Sequence, residues 1–220
     1  MRGLSRFRLK ANRTASPLHA NLRMKRLLKL TTIGVVALLL LVVTGLGEVI
    51  GDKLIFYAHV ARLSMEEPDR KLAMPLEDVA KSQIANTWHA PRGTDRLHEG
   101  QDIFAPKGTP ILSATSGYVY NIGENNLGGQ TVSVIGAGGR VYYYAHLDAY
   151  ARGLQIGDRV NTLTVLGYVG TTGNAQGTPP HLHFGIYTSS GAIDPLPLLT
   201  DRTVPRVTNT TPHTTRNRRV

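Results

Sequence analysis

Leu30 to Gly47, LTTIGVVALLLLVVTGLG, is a run of eighteen residues without a charge. As a helix rising 1.5 Å per residue it would be about 27 Å long, close to the roughly 30 Å hydrocarbon layer of a bilayer. Nine Lys/Arg and no acid precede it, and Glu48 and Asp52 follow. The run is therefore expected to be a single transmembrane anchor, residues 30–47. The positive-inside rule then keeps the basic segment 1–29 in the cytoplasm and exports the remainder. A buried core helix is the competing reading, and so long an uncharged run behind nine positive charges argues against it. A cleaved signal would have a shorter apolar region and an A-x-A-like site, and Thr44-Gly45-Leu46-Gly47 is poor as one.

The chain carries a net charge of +10, which in a folded domain would suggest a nucleic-acid partner. The charge sits at the ends instead. Residues 1–29 contribute +9 and residues 201–220 contribute +4, while 30–200 hold eleven Lys/Arg and fourteen acids, a net −3. A nucleic-acid footprint spreads basic residues over a folded face with aromatics among them, so no nucleic-acid partner is expected. The absence of cysteine removes disulfides, thiolate zinc sites, iron–sulfur ligation and a cysteine nucleophile. With 41% apolar residues a packed core is within reach.

Residues 48–86 read as a stalk, with a short helix over Leu76–Ile84 opened by Pro75 and carrying Glu77 and Asp78 in its first turn. From Thr87 the texture changes. Short runs rich in Val, Ile and Tyr, such as GYVYNI (117–122), TVSVI (131–135), RVYYYAH (140–146) and HLHFGIY (181–187), alternate with Gly-Gly and Gly-Asp turn signals. Several short strands at roughly ten-residue spacing argue for a mainly β domain, residues 87–200, built as an antiparallel β-sandwich or open barrel. The last segment, 201–220, is rich in Thr, Arg and Pro and is expected to be disordered.

Histidine carries the chemistry. His98 and Asp102 bracket HEGQD, His146 ends RVYYYAH, and His181 and His183 form His-Leu-His. Residues i and i+2 of a strand share a face, so His181 and His183 project together. Imidazole and carboxylate are zinc ligands, and three protein ligands plus one open position is the catalytic pattern. HEGQD also resembles the helical zincin motif, with Glu99 as base, but Gly100 and Pro106 weaken a helix there. Tyr142, Tyr143 and Tyr144 alternate faces, some toward the core and others toward a groove.

His98-x3-Asp102, Ala145-His146-Leu147 and His181-Leu182-His183-Phe184, in that order, resemble the three signatures of the lysostaphin-type (LytM-type) zinc metalloendopeptidases of cell-wall peptidoglycan. The likeness runs from about Thr87 to Leu199 and includes APKGTPILSATSGYVY (105–120) and LGYVGTTGNAQGTPPHLHFGIY (166–187). It implies a LytM-like antiparallel β fold, a duplicated hybrid motif with a groove across the sheet. It also implies one Zn2+ per chain on His98, Asp102 and His183, with His146 and His181 as catalytic histidines beside it. The substrate implied is a peptide bond of peptidoglycan stems or cross-links, cut on the outer side of the membrane. The competing expectation is a non-catalytic module that activates other wall hydrolases; such relatives lack one or more of the five polar positions, and all five are present here. No regulatory partner is identified. Two departures stand out: Trp88-His89 replaces a Phe-Gly pair, and PRGTDRL before His98 has no Tyr, leaving Arg92 or Arg96 to assist electrophilically. His89 is left open as a groove residue, and His19, His59 and His213 lie outside the domain.

Overall fold

The structure is a computed structural model that describes residues 17–93 and 96–202. It divides into two compact units, residues 1–55 and 56–220. α1 (Pro17–Ser64) is a continuous 48-residue helix, far longer than its uncharged run. Along it Leu30, Ile33, Leu39 and Val43 are exposed. By length and composition it is long and apolar enough to cross a membrane. The three hydroxyls of the uncharged run are internally satisfied: Thr31 and Thr32 donate to the Leu28 carbonyl (both 2.8 Å) and Thr44 to that of Leu40 (2.9 Å). The basic N-terminal residues 1–16 lie outside the described residues.

The second unit is built from short strands. First come β1 (Leu72–Ala73), β2 (Pro91–Arg92), β3 (Arg96–Leu97), β4 (Gln101–Phe104), β5 (Pro110–Leu112), β6 (Gly117–Asn125) and β7 (Gly129–Gly136). β8 (Val141–Tyr150), β9 (Arg159–Val160), β10 (Val165–Val169), β11 (His181–Thr188), β12 (Gly191–Ile193) and β13 (Leu199–Thr200) complete the set. β4 to β12 form one nine-stranded sheet in which every pairing is antiparallel. The sheet stays open, with β12 and β9 at the ends of its main path. Alternation along the strands does what the pattern promised. Val132, Val134, Tyr142, Tyr144, Phe184 and Ile186 are fully buried on the core side, while Tyr143 faces the cleft described below.

The sheet forks at β8. Its first half, Val141–Ala145, pairs with β11, and its second half, from Leu147, pairs with β10. On the opposite edge the register against β7 slips between Gln130 and Val132. His146 stands at this change of partner with φ of 65°, a left-handed conformation rare outside glycine. A bulge at this point re-aims the side chain out of the regular pleat.

The expected stalk does not end at residue 86, and the expected helix over Leu76–Ile84 is absent. Only a 3-10 turn at Lys81–Gln83 forms. Leu72, Met74 and Leu76 are buried in the core instead. Each large apolar side chain so buried contributes roughly 1.5–3 kcal/mol, which outweighs the propensity of a nine-residue helix. The backbone of this segment bonds to distant partners: β1 pairs in parallel with β13, Ala73 N–H donates to Ala114 O (2.9 Å), and Leu112 N–H donates to Pro75 O (2.8 Å). The start of the C-terminal segment is also tied down. Asp201 Oδ1 accepts from Lys81 N–H (2.5 Å), and Arg202 donates to the carbonyls of Met74, Thr162 and Ser113 at 2.5, 2.5 and 3.1 Å. The rest of the expected disordered tail, 203–220, lies outside the described residues.

Candidate active site

β4 and β11 pair so that Asp102 stands directly opposite His183, and β11 pairs on its other side with β8, placing His183 opposite Ala145. Cross-strand partners project to the same face. His98 reaches the same point from the turn before β4, where its N–H donates to Ala90 O (3.0 Å) and its carbonyl accepts from His89 N–H (2.9 Å). The result is a triangle of donor atoms. His98 Nε2 lies 2.8 Å from His183 Nδ1, and each lies 3.1 Å from Asp102 Oδ1. Ligands about 2.0–2.2 Å from one tetrahedral ion stand ~3.3 Å apart, so two imidazole nitrogens and a carboxylate oxygen at these spacings suit a zinc ion.

Backbone carbonyls fix the ring orientations. His98 Nδ1 donates to Thr87 O (2.8 Å), His146 Nδ1 to Thr172 O (2.9 Å) and His181 Nδ1 to Pro179 O (2.8 Å). A carbonyl can only accept, so the proton is on Nδ1 in each ring and the Nε2 lone pair is left for other work. His181 Nε2 is 3.9 Å from Asp102 Oδ1, and the His146 ring is centred 4.9 Å from that of His181 and 5.9 Å from that of His183. All five polar residues line one cleft. Gly100 makes room for the arrangement: a Cβ there would meet His183 Cε1 at 2.6 Å and the Phe184 carbonyl at 2.8 Å.

Charge is arranged as tightly as geometry. Burial works against the Asp102 carboxylate, but its close contacts with the imidazoles of His183 and His98 hold its carboxyl well below the ordinary range. Burial lowers His183 despite its bond to Asp102. Burial also pushes His146 down to about 4, against the pull of its bond to Thr172 O, so the ring is neutral at pH 7. Arg92 Nη2 donates to Asp102 Oδ2, leaving Oδ1 as the oxygen that faces the histidines.

Residues 96–195 match the sequence profile of peptidase family M23. The L-Ala–D-Glu endopeptidase of Bacillus subtilis (strain 168) is 37% identical over 138 residues, 58% of this chain and 42% of that relative. The DD-carboxypeptidase/endopeptidase Mpg of Neisseria meningitidis serogroup B is 34% identical over 113 residues, 51% of this chain and 24% of that relative. Among solved structures, the catalytic domain of the antimicrobial peptidase lysostaphin from Staphylococcus simulans is 32% identical, with 52% of this chain covering 90% of that one at a TM-score of 0.47. The chain belongs to peptidase family M23. It spans less than half the length of the two curated relatives named here.

Within this M23 domain, β4 is a strand and the turn before it is not helical, so HEGQD is not a zincin helix, and Glu99 is exposed. Trp88 and His89 stack with ring centres 4.3 Å apart, and His89 adopts φ of 58°. His89 is not among the residues that line the cleft, whereas Arg92 and Arg96 are. The sequence reading passed over Thr87, which serves two of the three donor residues at once: its carbonyl holds His98, and its Oγ1 accepts the Asp102 N–H (3.0 Å). Gln101, fully buried, then holds Thr87. Its Oε1 accepts from Thr87 N–H (2.9 Å), and its Nε2 donates to Asn86 Oδ1 (2.8 Å) and Asp194 Oδ1 (2.9 Å). Nothing local marks these residues, because each acts through partners eleven or more positions away, up to 93 for Asp194.

Proposed function

We propose that this chain is a membrane-anchored zinc endopeptidase that hydrolyses peptide bonds in peptidoglycan stems or cross-links. The observation that carries the reading is the donor triangle of His98, Asp102 and His183 with two further imidazoles, His146 and His181, turned toward the same cleft. When bound there, zinc would polarise the amide carbonyl and acidify water. The chain's own residues do the rest. His98 Nε2, His183 Nδ1 and Asp102 Oδ1 hold the metal, and Thr87 and Arg92 hold Asp102 in place. His146 and His181, neutral on Nε2, take the proton that attacking water releases and return one to the leaving nitrogen. The C–N bond breaks, the water oxygen ends on the carbonyl carbon, and the proton ends on the new amine.

The relatives named above are peptidases of L-Ala–D-Glu and DD bonds by their names, which supports a stem-peptide substrate. All five polar positions are present, so the non-catalytic alternative gains no support. The long apolar helix, its satisfied hydroxyls and the basic segment before it support a single-pass anchor with the N-terminus inside and the domain outside. The test is digestion of purified peptidoglycan by the full chain, with fragments identified by mass spectrometry. New amine termini are expected with zinc and not with chelator. Intact peptidoglycan after incubation with the zinc-loaded chain would overturn the reading.

A further inference from the structure

β2 and β3 form a two-residue hairpin in which Arg92 stands directly opposite Arg96. Like charges in that position repel and destabilise a strand pair, so the hairpin is not built for its own stability. Both arginines line the cleft, and among the described residues lining it the only acid is Asp102. Asp102 is already committed, with Oδ1 to the histidines and Oδ2 to Arg92. Arg92 is committed in return, and its Nε is buried without a hydrogen-bond partner. Arg96 differs. It is exposed and makes no ion pair among the described residues, Glu99 included. Among the described residues, the cleft of a domain that is mildly acidic over residues 30–200 thus carries an excess of positive charge, before any metal is added.

Resting on the peptidase reading of the same site, we infer that Arg96 receives a free carboxylate of the substrate close to the amide that is cut. A guanidinium fork matches a carboxylate with two parallel hydrogen bonds, and the anion would also relieve the repulsion between the opposed arginines. The substrate class is therefore a peptide whose free carboxylate adjoins the scissile bond, and its carboxamide counterpart is a poor substrate. Arg92 is the positioning residue of the pair and Arg96 the recognition residue.

The test uses a synthetic stem tetrapeptide with its carboxylates free, and versions in which each is converted singly to the carboxamide. With the full zinc-loaded chain in detergent, amidation of one particular carboxylate should lower kcat/KM about 10- to 100-fold, the scale of a charge-assisted hydrogen bond. In Arg96→Gln the free peptide should fall to the rate of the amidated one, and amidation should then change nothing further. Arg96→Lys should restore part of the difference. Equal rates for all versions with the wild-type chain would overturn the inference, as would additive losses in Arg96→Gln. A second arm titrates the same peptides into the metal-free chain, where no metal competes for the carboxylate. Binding of the free peptide should be about tenfold tighter than that of the amidated one, and Arg96→Gln should abolish the gap. If no peptide is cut, the peptidase reading fails, and this binding arm still decides the inference: a gap supports it and no gap overturns it.

Discussion

The cleft has two sides that are built differently. On the first, His98, Asp102 and His183 touch one another, each within 3.1 Å of the other two, around one anionic oxygen. On the second, His146 and His181 are tethered outward to carbonyls, and His181 Nε2 stands 3.9 Å from Asp102 Oδ1, farther than the contacts of the first side. The first side sits on regular β4–β11 pairing, the second partly on the bulge at His146. Atoms that must converge on one point need mutual contact and a fixed register. Groups that must pick up and release a proton need a neutral ring and room to respond.

The contrast can be broken by substitution. His98→Ala, Asp102→Ala or His183→Ala should strip the chain of zinc, by more than the roughly 10–100-fold in affinity that loss of an outer partner costs. Elemental analysis of the purified chain checks this, and a variant that keeps a full zinc complement removes its residue from the ligand set. His146→Ala and His181→Ala should keep zinc and lose roughly 10²–10⁴-fold in kcat. Zinc loss in His181→Ala with retention in His183→Ala would reverse the two assignments.

Thr87→Val sharpens the comparison, since it keeps the carbonyl that holds His98 and removes the hydroxyl that holds Asp102. Zinc affinity should fall about 10–100-fold, while the rate at saturating zinc stays near that of the wild type. An unchanged zinc affinity would show that Thr87 Oγ1 does not support the triangle.

Acid should act on the metal-free chain through the histidines. His146 is lowered from 6.5 to about 4 and His183 is also lowered, both chiefly by burial. The unfolded chain therefore binds more protons, and stability present above pH 6.5 is lost as pH falls toward 4, by at most about 3 kcal/mol for His146. Asp102, lowered from the ordinary aspartate value of 3.8, adds its loss only below that pH. Thermal melts at pH 7.5 and 5 should show the drop, and His146→Gln should shrink it; an equal drop in that variant would assign the effect elsewhere. The smallest effect is conformational. With φ of 65° at position 146, His146→Gly should be about 1 kcal/mol more stable than His146→Ala, because only glycine adopts that region without strain. Equal stability in denaturant titrations would mean that the backbone relaxes when the imidazole is gone.

The side built on regular pairing was legible in the sequence, because period-two alternation forces His181 and His183 onto one face and glycine-punctuated runs announce short antiparallel strands. The tautomers were not legible, since they depend on the carbonyls of Thr87, Thr172 and Pro179, which any residue type could supply. The bulge at His146 was not legible either: it arises where β8 exchanges β11 for β10, a tertiary event. Leu76–Ile84 misled for a related reason. Pro75 followed by Glu77 and Asp78 reads locally as a helix start, and Leu76 was claimed by a core assembled from distant strands.

The cross-strand pair of Asp102 and His183 also sets an order of events during synthesis. The two residues are 81 positions apart, and closing so long a loop is entropically costly and slow compared with forming a local turn. A chain that has emerged only as far as β10 has His98, Asp102 and His146 but neither β11 nor the third donor, His183. Any chain stopped before residue 183 lacks a complete donor set. The proposed hydrolytic centre would come into being only when almost the whole domain is in place, which would protect unfinished copies and their neighbours from premature cleavage.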